Sequence, residues 1–507
     1  TPYNWDYYAY SNRVDYQLSD KWRMFGRWSI NNFGPEDRGD WVYETARGLN
    51  LNGLVRNNKG GNIDVVYTQS PTMLWNFNIA MNQFREGNIQ PRAREFKPTT
   101  VGLPAYLDEK AGELALLPQM TLNGYSTVSP GGFGVFTRTR QMTAKLQGTK
   151  ISGTHSMNFA FDNRNQYRTG GGGGNTSGNF TFGQNFLRRN DDGLTPATDL
   201  GLSWAAFILG IPQGGSVATN DTFATHTPYY AGFFQDNWRV NSKLTINLGL
   251  RLEYERGATE RFNRMVGNWD PTIVTPLSAP AQAAYAANPI PELSPANFRV
   301  IGGNTYAGSN GANRQLYRPE LMWLPRIGVA YQLNSKTVIR GGYGIFFDTL
   351  NVMNYGPNQF GFSRGTSMIV TNDFGQTWGS TTAPYPANAN PNNFRSLLND
   401  PFPVRADGTR FDIPTRDALG AMAYQGRGFG FTAWDTPHPR QQRWQIGFQR
   451  QFGRTMVVNA FYAGSFSDRI SQFSSGDNIP GRPLQPVPQQ YWVGGLVRNE
   501  SAQTLLN

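Results

Sequence analysis

The chain has 507 residues, a net charge of +11 and a pI near 9.7, with 38% hydrophobic and 14% aromatic residues. A mean hydropathy of −0.51 and the lack of any run of about eighteen apolar residues exclude a helical membrane protein; the greasiest stretch, 204–211, is far too short. With no cysteine there is no disulfide framework and no cysteine-based metal site or nucleophile, and arginines scattered along the chain rather than gathered into a patch argue against nucleic acid as a partner.

A membrane β-barrel stays open, because its strands need only every second residue apolar and long loops dilute the rest. The aromatic content fits either girdles at a membrane interface or platforms for flat ligands. Abundant Gly (57) and Pro (32) point to many turns and irregular loops. The chain opens at Thr1 without Met or a signal peptide and stops in mid-pattern at Asn507, so it is expected to be an internal piece of a longer protein or a processed form of one.

Taken in order, the alternating segments come in pairs. Tyr8, Tyr10, Val14, Tyr16 and Leu18 share one face opposite Ser11, Arg13, Asp15 and Gln17; after Ser19-Asp20, Trp22, Met24, Trp28 and Ile30 oppose Arg23, Arg27, Ser29 and Asn31. A second pair carries Ile63, Val65 and Tyr67, then Trp75, Phe77 and Ile79 against Asn76 and Asn78. The third covers about 137–147 and 155–167. The fourth contains the cleanest alternation, Leu244, Ile246, Leu248, Leu250, Leu252 and Tyr254 against Thr245, Asn247, Gly249, Arg251 and Glu253. The fifth joins 326–333 to 337–347, and the sixth 443–452 to 456–465. Side chains of a strand alternate between faces, so each segment is a strand with one apolar side, each pair a hairpin, and the total about twelve.

Within pairs the connections are a few residues. Between pairs they run over 33–62, 85–134, 168–228, 255–325 and 348–442. Loops beyond about fifteen residues are uncommon in compact domains, and their placement after every second strand is the pattern of outer-membrane barrels, with short periplasmic turns and long extracellular loops. The expected fold is an all-β, antiparallel up-and-down transmembrane barrel, incomplete in this chain, forming one domain over 1–507. A propeller, sandwich or β-helix would need a fixed-period repeat or shorter loops. Within the third long loop, 178–186 reads as a strand and 203–209 as a short apolar helix. Parity allows zero or two extra barrel strands there, and a structured extracellular loop is preferred. The glycine tract 170–174 is expected to be flexible and 278–296 irregular.

The segments 227–264 (TPYYAGFFQDNWRVNSKLTINLGLRLEYERGATERFNR), 324–348 (LPRIGVAYQLNSKTVIRGGYGIFFD) and 438–465 (HPRQQRWQIGFQRQFGRTMVVNAFYAGS), with FILGIP at 207–212, resemble the barrel of TonB-dependent receptors. The closest similarity is to the Oar-like branch, whose members carry a carboxypeptidase-regulatory-like domain before the plug. The resemblance spans about 7–467. It implies a cylinder of about 22 strands, of which 12–14 lie here. It also implies that the plug, the TonB-contacting box, the regulatory-like domain and an aromatic-ended last strand lie outside this chain. The function it implies is TonB-dependent uptake of a large solute through a plugged barrel, with no enzymatic chemistry and no cofactor. Implied partners are outer-membrane lipid and lipopolysaccharide, the plug and TonB, and an unknown solute. Two alternatives stand beside it: a passive porin or surface adhesion barrel, and a soluble carbohydrate-binding β-protein.

Several residues are candidates for function. Trp41, Tyr43, Trp323, Trp378, Tyr424 and Trp434 sit in or beside long loops, where stacking on a sugar or packing of the loops on themselves are both open. Arg13, Arg23, Arg27, Arg239 and Arg251 fall on polar strand faces. They would form either a basic lumen that attracts anionic solutes or ion pairs with Asp15, Asp236 and Glu253 or with a plug outside this chain, pairing being preferred. Trp22, Trp75 and Trp238 flank short turns, where an interfacial girdle belongs. Gly361-Phe362-Ser363-Arg364-Gly365 matches a nucleophile-elbow pattern, but in a Gly/Asn/Ser-rich loop the bland reading of a chance match is preferred. His155, His226 and His438 have no partner at metal-ligand spacing, and the 190–193 run lacks the remaining ligands of a calcium loop. No metal site is expected.

Overall fold

The structure is a computed structural model that describes residues 5–35, 53–89, 96–125, 127–129, 136–171, 174–185, 187, 200–350, 357–371, 397–425 and 430–470. Twelve long strands run through them: β1 Trp5–Gln17, β2 Trp22–Pro35, β3 Gly53–Ser70, β4 Met73–Ile89, β5 Phe136–Ser152, β6 His155–Gly171, β7 Phe223–Arg239, β8 Leu244–Glu255, β9 Glu320–Asn334, β10 Thr337–Phe347, β11 Arg440–Phe452 and β12 Met456–Asp468. Each pairs antiparallel with the next, so the sheet order is the chain order; a two-residue strand, Thr259–Glu260, flanks β7. This is the expected up-and-down meander. Among the described residues the outer edges of β1 and β12 carry no further strand. No helix there is long and apolar enough to cross a membrane.

The short turns share one chemistry. Ser19 Oγ accepts the Lys21 and Trp22 N–H groups, Asn241 Oδ1 those of Lys243 and Leu244 at 2.9 Å, and Asn334 Oδ1 that of Lys336 at 3.0 Å. A short polar side chain bonding the backbone two or three residues on closes a tight turn without help from packing. Glycines take the left-handed position where this device is missing, at Gly153 (φ +56°) and Gly453 (φ +62°).

The alternation resolves into two chemically distinct faces. On β8, Leu248 and Leu250 are 44% and 38% exposed while Glu253, on the opposite side, is 8% exposed. Tyr10, Tyr16, Ile63, Phe77, Ile79, Phe161, Phe234, Ile327 and Ile446 extend the apolar face, with no second layer over it. In water a contiguous surface of this kind would drive association. Against hydrocarbon it is the stable arrangement, and the antiparallel ladder satisfies the backbone internally, as a bilayer requires. The inner face carries Arg13, Asp15, Asp64, Asp162, Arg251 and Glu253.

Three expectations are corrected. The strands are longer than the alternation indicated: β3 begins at Gly53 and β4 ends at Ile89, inside stretches expected to be loop, and β7 starts at Phe223. Crossing the bilayer takes about 9–11 residues, so the remainder projects beyond it, where backbone pairing continues through 56–59 without apolar alternation. Gly170 and Gly171 end β6 rather than forming a flexible tract; the Phe223 ring lies so close over Gly170 that an added Cβ would overlap it. Residues within 278–296 form a helix, Ser278–Ala287, supported by six alanines. The preferred reading of the third long loop holds: between β6 and β7 the barrel gains no strand, since the two pair directly over sixteen residues.

Candidate functional site

The long loops build a cap at their end of the sheet. Four short strands, Gln119–Leu122, Asn179–Phe182, Gly214–Thr219 and Arg364–Ser367, come from three different loops and form one mixed sheet; the first two pair in parallel. Alternate residues point into a shared apolar core with Met120, Leu122, Phe180, Phe182 and Val217 buried. Leu107 arrives on helix Ala105–Ala111, Ala206 on helix Leu200–Leu209, and Met368, Val370, Leu397 and Phe402 from the last long loop. The FILGIP segment ends that second helix and delivers buried Ile211 to the same core. A second cluster, Val266, Tyr306, Phe362 and Ala423, lies beside the hairpin Val266–Asp270/Gly303–Tyr306. Burial, with Tyr424 and Asp417 nearby, pushes the Tyr306 hydroxyl up to about 12.

Polar contacts tie the loops together across long stretches of chain. Tyr106 donates to Asp400 Oδ1 at 2.9 Å, and its ring carries the Arg410 guanidinium at 4.2 Å. Lys110 Nζ donates to Thr219 Oγ1 at 2.8 Å and to the Ala218 carbonyl; burial holds its ammonium below the usual lysine value. Tyr106, Lys110, Arg410 and Phe411 line an outward-opening groove of about 640 Å³. At the rim of the sheet, His438 is fully buried between Pro437 and Pro439. Its Nδ1 lies 3.1 Å from Glu320 Oε2 and its Nε2 3.4 Å from Glu255 Oε1, which also accepts the Tyr317 hydroxyl at 2.8 Å. This histidine pins the return of the last loop to the ends of β8 and β9.

The inner wall holds the arginines. Arg251 Nε donates to Glu253 Oε1, its Nη2 donates to the Tyr229 hydroxyl at 3.0 Å and lies 3.6 Å from Asp162, and Arg164 bonds the same Asp162 at 2.6 Å. Arg13 pairs with Asp15 at 2.6 Å and lies over the Phe25 ring at 3.9 Å. Arg23, Arg27 and Arg239 face the same side with no ionic partner among the described residues. Asp236 instead bonds His155 Nδ1 at 2.6 Å, on the outer face near a short turn.

The aromatic candidates divide. Trp41, Tyr43 and Trp378 lie outside the described residues, as does the 190–193 run. Trp323 is not a loop residue: it sits within β9 opposite Leu252, 55% exposed on the apolar outer face. Tyr424 is packed against Phe360 at 4.8 Å and takes a positive φ of 61°; Trp434 is half-buried, its carbonyl accepting the Arg318 N–H at 2.7 Å. Neither stands on an open platform. Trp22 stacks on Tyr67 at 4.4 Å, Trp75 meets Phe159 edge-on at 5.4 Å, and Trp238 stacks on His155 at 5.4 Å, all beside short turns. Ser363 accepts the Asp221 N–H at 3.1 Å and leads into a strand rather than a helix, so the elbow geometry is absent. Among the described residues no group of three acidic or His side chains could hold a metal.

Residues 1–503 match the model of one protein family, the outer membrane beta barrel domain. The chain belongs to that family. The lipid-facing apolar belt, short turns and long-loop cap are thus those of an outer-membrane barrel domain, and the outer membrane is its location. No curated protein matches the chain in sequence. Among solved structures it is similar to the ferric yersiniabactin uptake receptor FyuA from Yersinia pestis (8% identity, TM-score 0.41, covering 91% of this chain and 45% of that one). It is also similar to the outer membrane transporter YddB from Escherichia coli (9%, 0.43, 89% and 39%) and the alcaligin receptor FauA from Bordetella pertussis (8%, 0.39, 94% and 46%). The barrel domain spans less than half the length of each of these structures.

The functional geometry that the sequence did not disclose is the cap. Its strands are four to six residues long, too short for a periodic signal, although NFTF at 179–182 did show alternation. The signal that could have found it is the recurrence of apolar pairs within otherwise polar loops.

Proposed function

We propose that this chain is the barrel of a TonB-dependent outer-membrane receptor of the Oar-like kind, taking up a large solute. In this reading the cap binds the solute outside the cell and a plug from another part of the same protein closes the lumen. TonB, driven by the inner-membrane proton gradient, then opens it. The observation that carries the proposal is the cap itself: three long loops fold onto one apolar core above an outer-membrane barrel. A pre-ordered surface lowers the entropic cost of holding a ligand, whereas a purely passive pore has no need of one. The sequence resemblance at 227–264, 324–348 and 438–465 supports the same reading, and the transport is physical, with no covalent step.

The test uses the full-length protein in planar bilayers and in cells. A plugged receptor gives no steady conductance in bilayers, and cells lose solute accumulation when TonB is removed or the proton gradient is collapsed. A steady open conductance with uptake indifferent to TonB would replace this reading with a passive porin.

A further inference from the structure

On the inner wall of β9, β10 and β11, three arginines face a hollow of about 990 Å³: Arg326, Arg340 and Arg443. Register places Arg326 beside Gly344 and Gly344 beside Arg443, while Arg340 lies between Ala330 and Gly447. All three guanidiniums therefore share the face that carries Arg251 and Glu253 on β8. None has an ionic partner among the described residues. The contrast with Arg13, Arg164 and Arg251, each paired with a carboxylate at 2.5–2.6 Å, is sharp. Within β9–β12 the inward positions carry one acidic residue, Glu320, which sits at the rim and is already engaged by Arg469 and His438.

The remaining inward residues look arranged to keep these charges accessible. Phe346 lies between two of them, with the Arg326 guanidinium 4.7 Å and the Arg443 guanidinium 5.3 Å from its ring centre. Contact with the aromatic face orients a guanidinium while leaving its N–H edge free. The ring occupies space above Gly344: a Cβ there would stand 3.2 Å from Phe346 Cε2 and 3.4 Å from Arg326 Cγ. Gly249, Gly328, Gly342 and Gly447 are the other inward glycines beside the arginines, so Phe346 and Gln445 are the main side chains standing between the three charges. Gln441 Oε1 accepts from Arg443 Nε at 2.5 Å and Gln445 also lines the hollow; these amides hold an arginine without neutralising it.

We propose that Arg326, Arg340 and Arg443 form a polycarboxylate-binding site on the inner wall. Guanidinium recognises carboxylate through paired N–H donors, several such pairs over one hollow select a ligand with more than one carboxylate, and the glycines among them leave room for it to approach the wall. Two sources supply this chemistry, a free solute or acidic side chains of polypeptide inside the lumen. The site rests on the barrel geometry and not on TonB coupling, so binding to purified protein tests it independently of transport.

The experiment is calorimetric titration of the full-length protein in detergent with citrate at low salt, alongside heat-unfolding midpoints. The variants are R326Q/R340Q/R443Q, the singles R340Q and R443Q in case the triple fails to fold, and R251Q as the paired control. Citrate binding to the wild type that weakens at least tenfold in the triple, or severalfold in either single, with R251Q unchanged, supports a solute site. No citrate binding to the wild type, but a lowered unfolding midpoint in the Arg326, Arg340 and Arg443 variants and a larger fall in R340E and R443E, supports occupation by acidic side chains. If citrate fails to bind and the Arg326, Arg340 and Arg443 variants, still shifting on gels when heated, unfold at the wild-type midpoint, the proposal is wrong.

Discussion

Arg251 and Glu253 stand two residues apart on β8 and point the same way, Nε donating to Oε1 at 2.5 Å, with Tyr229 and Asp162 completing the group from the neighbouring strands. Residues i and i+2 share a strand face, so the pair is written into the local sequence. Its cross-strand partners are set by register, Tyr229 lying opposite Glu255 and Asp162 opposite Ala231. Because Glu253 is buried, removing it alone leaves a covered guanidinium short of one acceptor. Glu253→Gln is expected to destabilise the barrel by about 2–3 kcal/mol, and Arg251→Leu/Glu253→Leu by less than the sum of the single changes. Denaturant unfolding of the full-length protein in lipid vesicles, as a double-mutant cycle, measures this; full additivity would refute coupling.

The cap has its own core and should fail separately from the barrel. Phe180 is fully buried and its ring approaches Phe402 at 6.3 Å. Phe180→Ala is expected to cost about 3–5 kcal/mol, with the loops becoming open to limited proteolysis while heat-dependent gel migration of the barrel stays unchanged. Loss of the folded-barrel band would show that cap and barrel are one cooperative unit.

Glu260 gives the cap an acid limit. Its carboxylate accepts N–H groups from Ala224 at 3.1 Å, Phe262 at 2.7 Å and Arg264 at 2.9 Å, and the Arg264 guanidinium at 3.1 Å. Burial alone would push this carboxyl up; the four donors outweigh it and hold it below the ordinary carboxylate range. A depressed folded value means the stabilisation is complete above the unfolded value and is lost as pH falls through the folded one. Amide exchange at 257–264 should therefore accelerate only below the normal carboxylate range. In Glu260→Gln it should be faster at neutral pH and nearly insensitive to acid. Equal acid sensitivity in both proteins would remove Glu260 as the cause.

Trp323 should see lipid. A variant retaining it as the sole tryptophan is expected to be quenched by phospholipids brominated near the headgroup, because β9 begins only three residues earlier. The corresponding Trp434 variant should be unaffected. An unquenched Trp323 would return it to the solvent side.

The meander was legible in the sequence for a simple reason. Alternation at 244–254 needs no partner to be recognised, and hydrophobic period two survives wherever one face meets lipid and the other does not. The same reason explains the error in strand length: past the bilayer, at 56–59, both faces meet polar surroundings, so pairing continues while the pattern vanishes. The candidate site was less legible. Trp323 read as a loop residue because β9 begins in a stretch that lacks clean alternation, and nothing local distinguishes a paired arginine such as Arg251 from Arg326, Arg340 or Arg443. That distinction depends on whether the adjacent strands place a carboxylate opposite.

By itself the sequence determined the twelve paired strands, the short turns that join them and which side of each strand is apolar, since these follow from side-chain alternation and turn chemistry over a few residues; that the third long loop adds no barrel strand was decided by the pairing of β6 with β7. Only the tertiary structure decided that three loops share a core, because Tyr106 and Asp400 meet across 294 positions and no local pattern encodes such a contact. Register between strands likewise decided which inward arginines are neutralised.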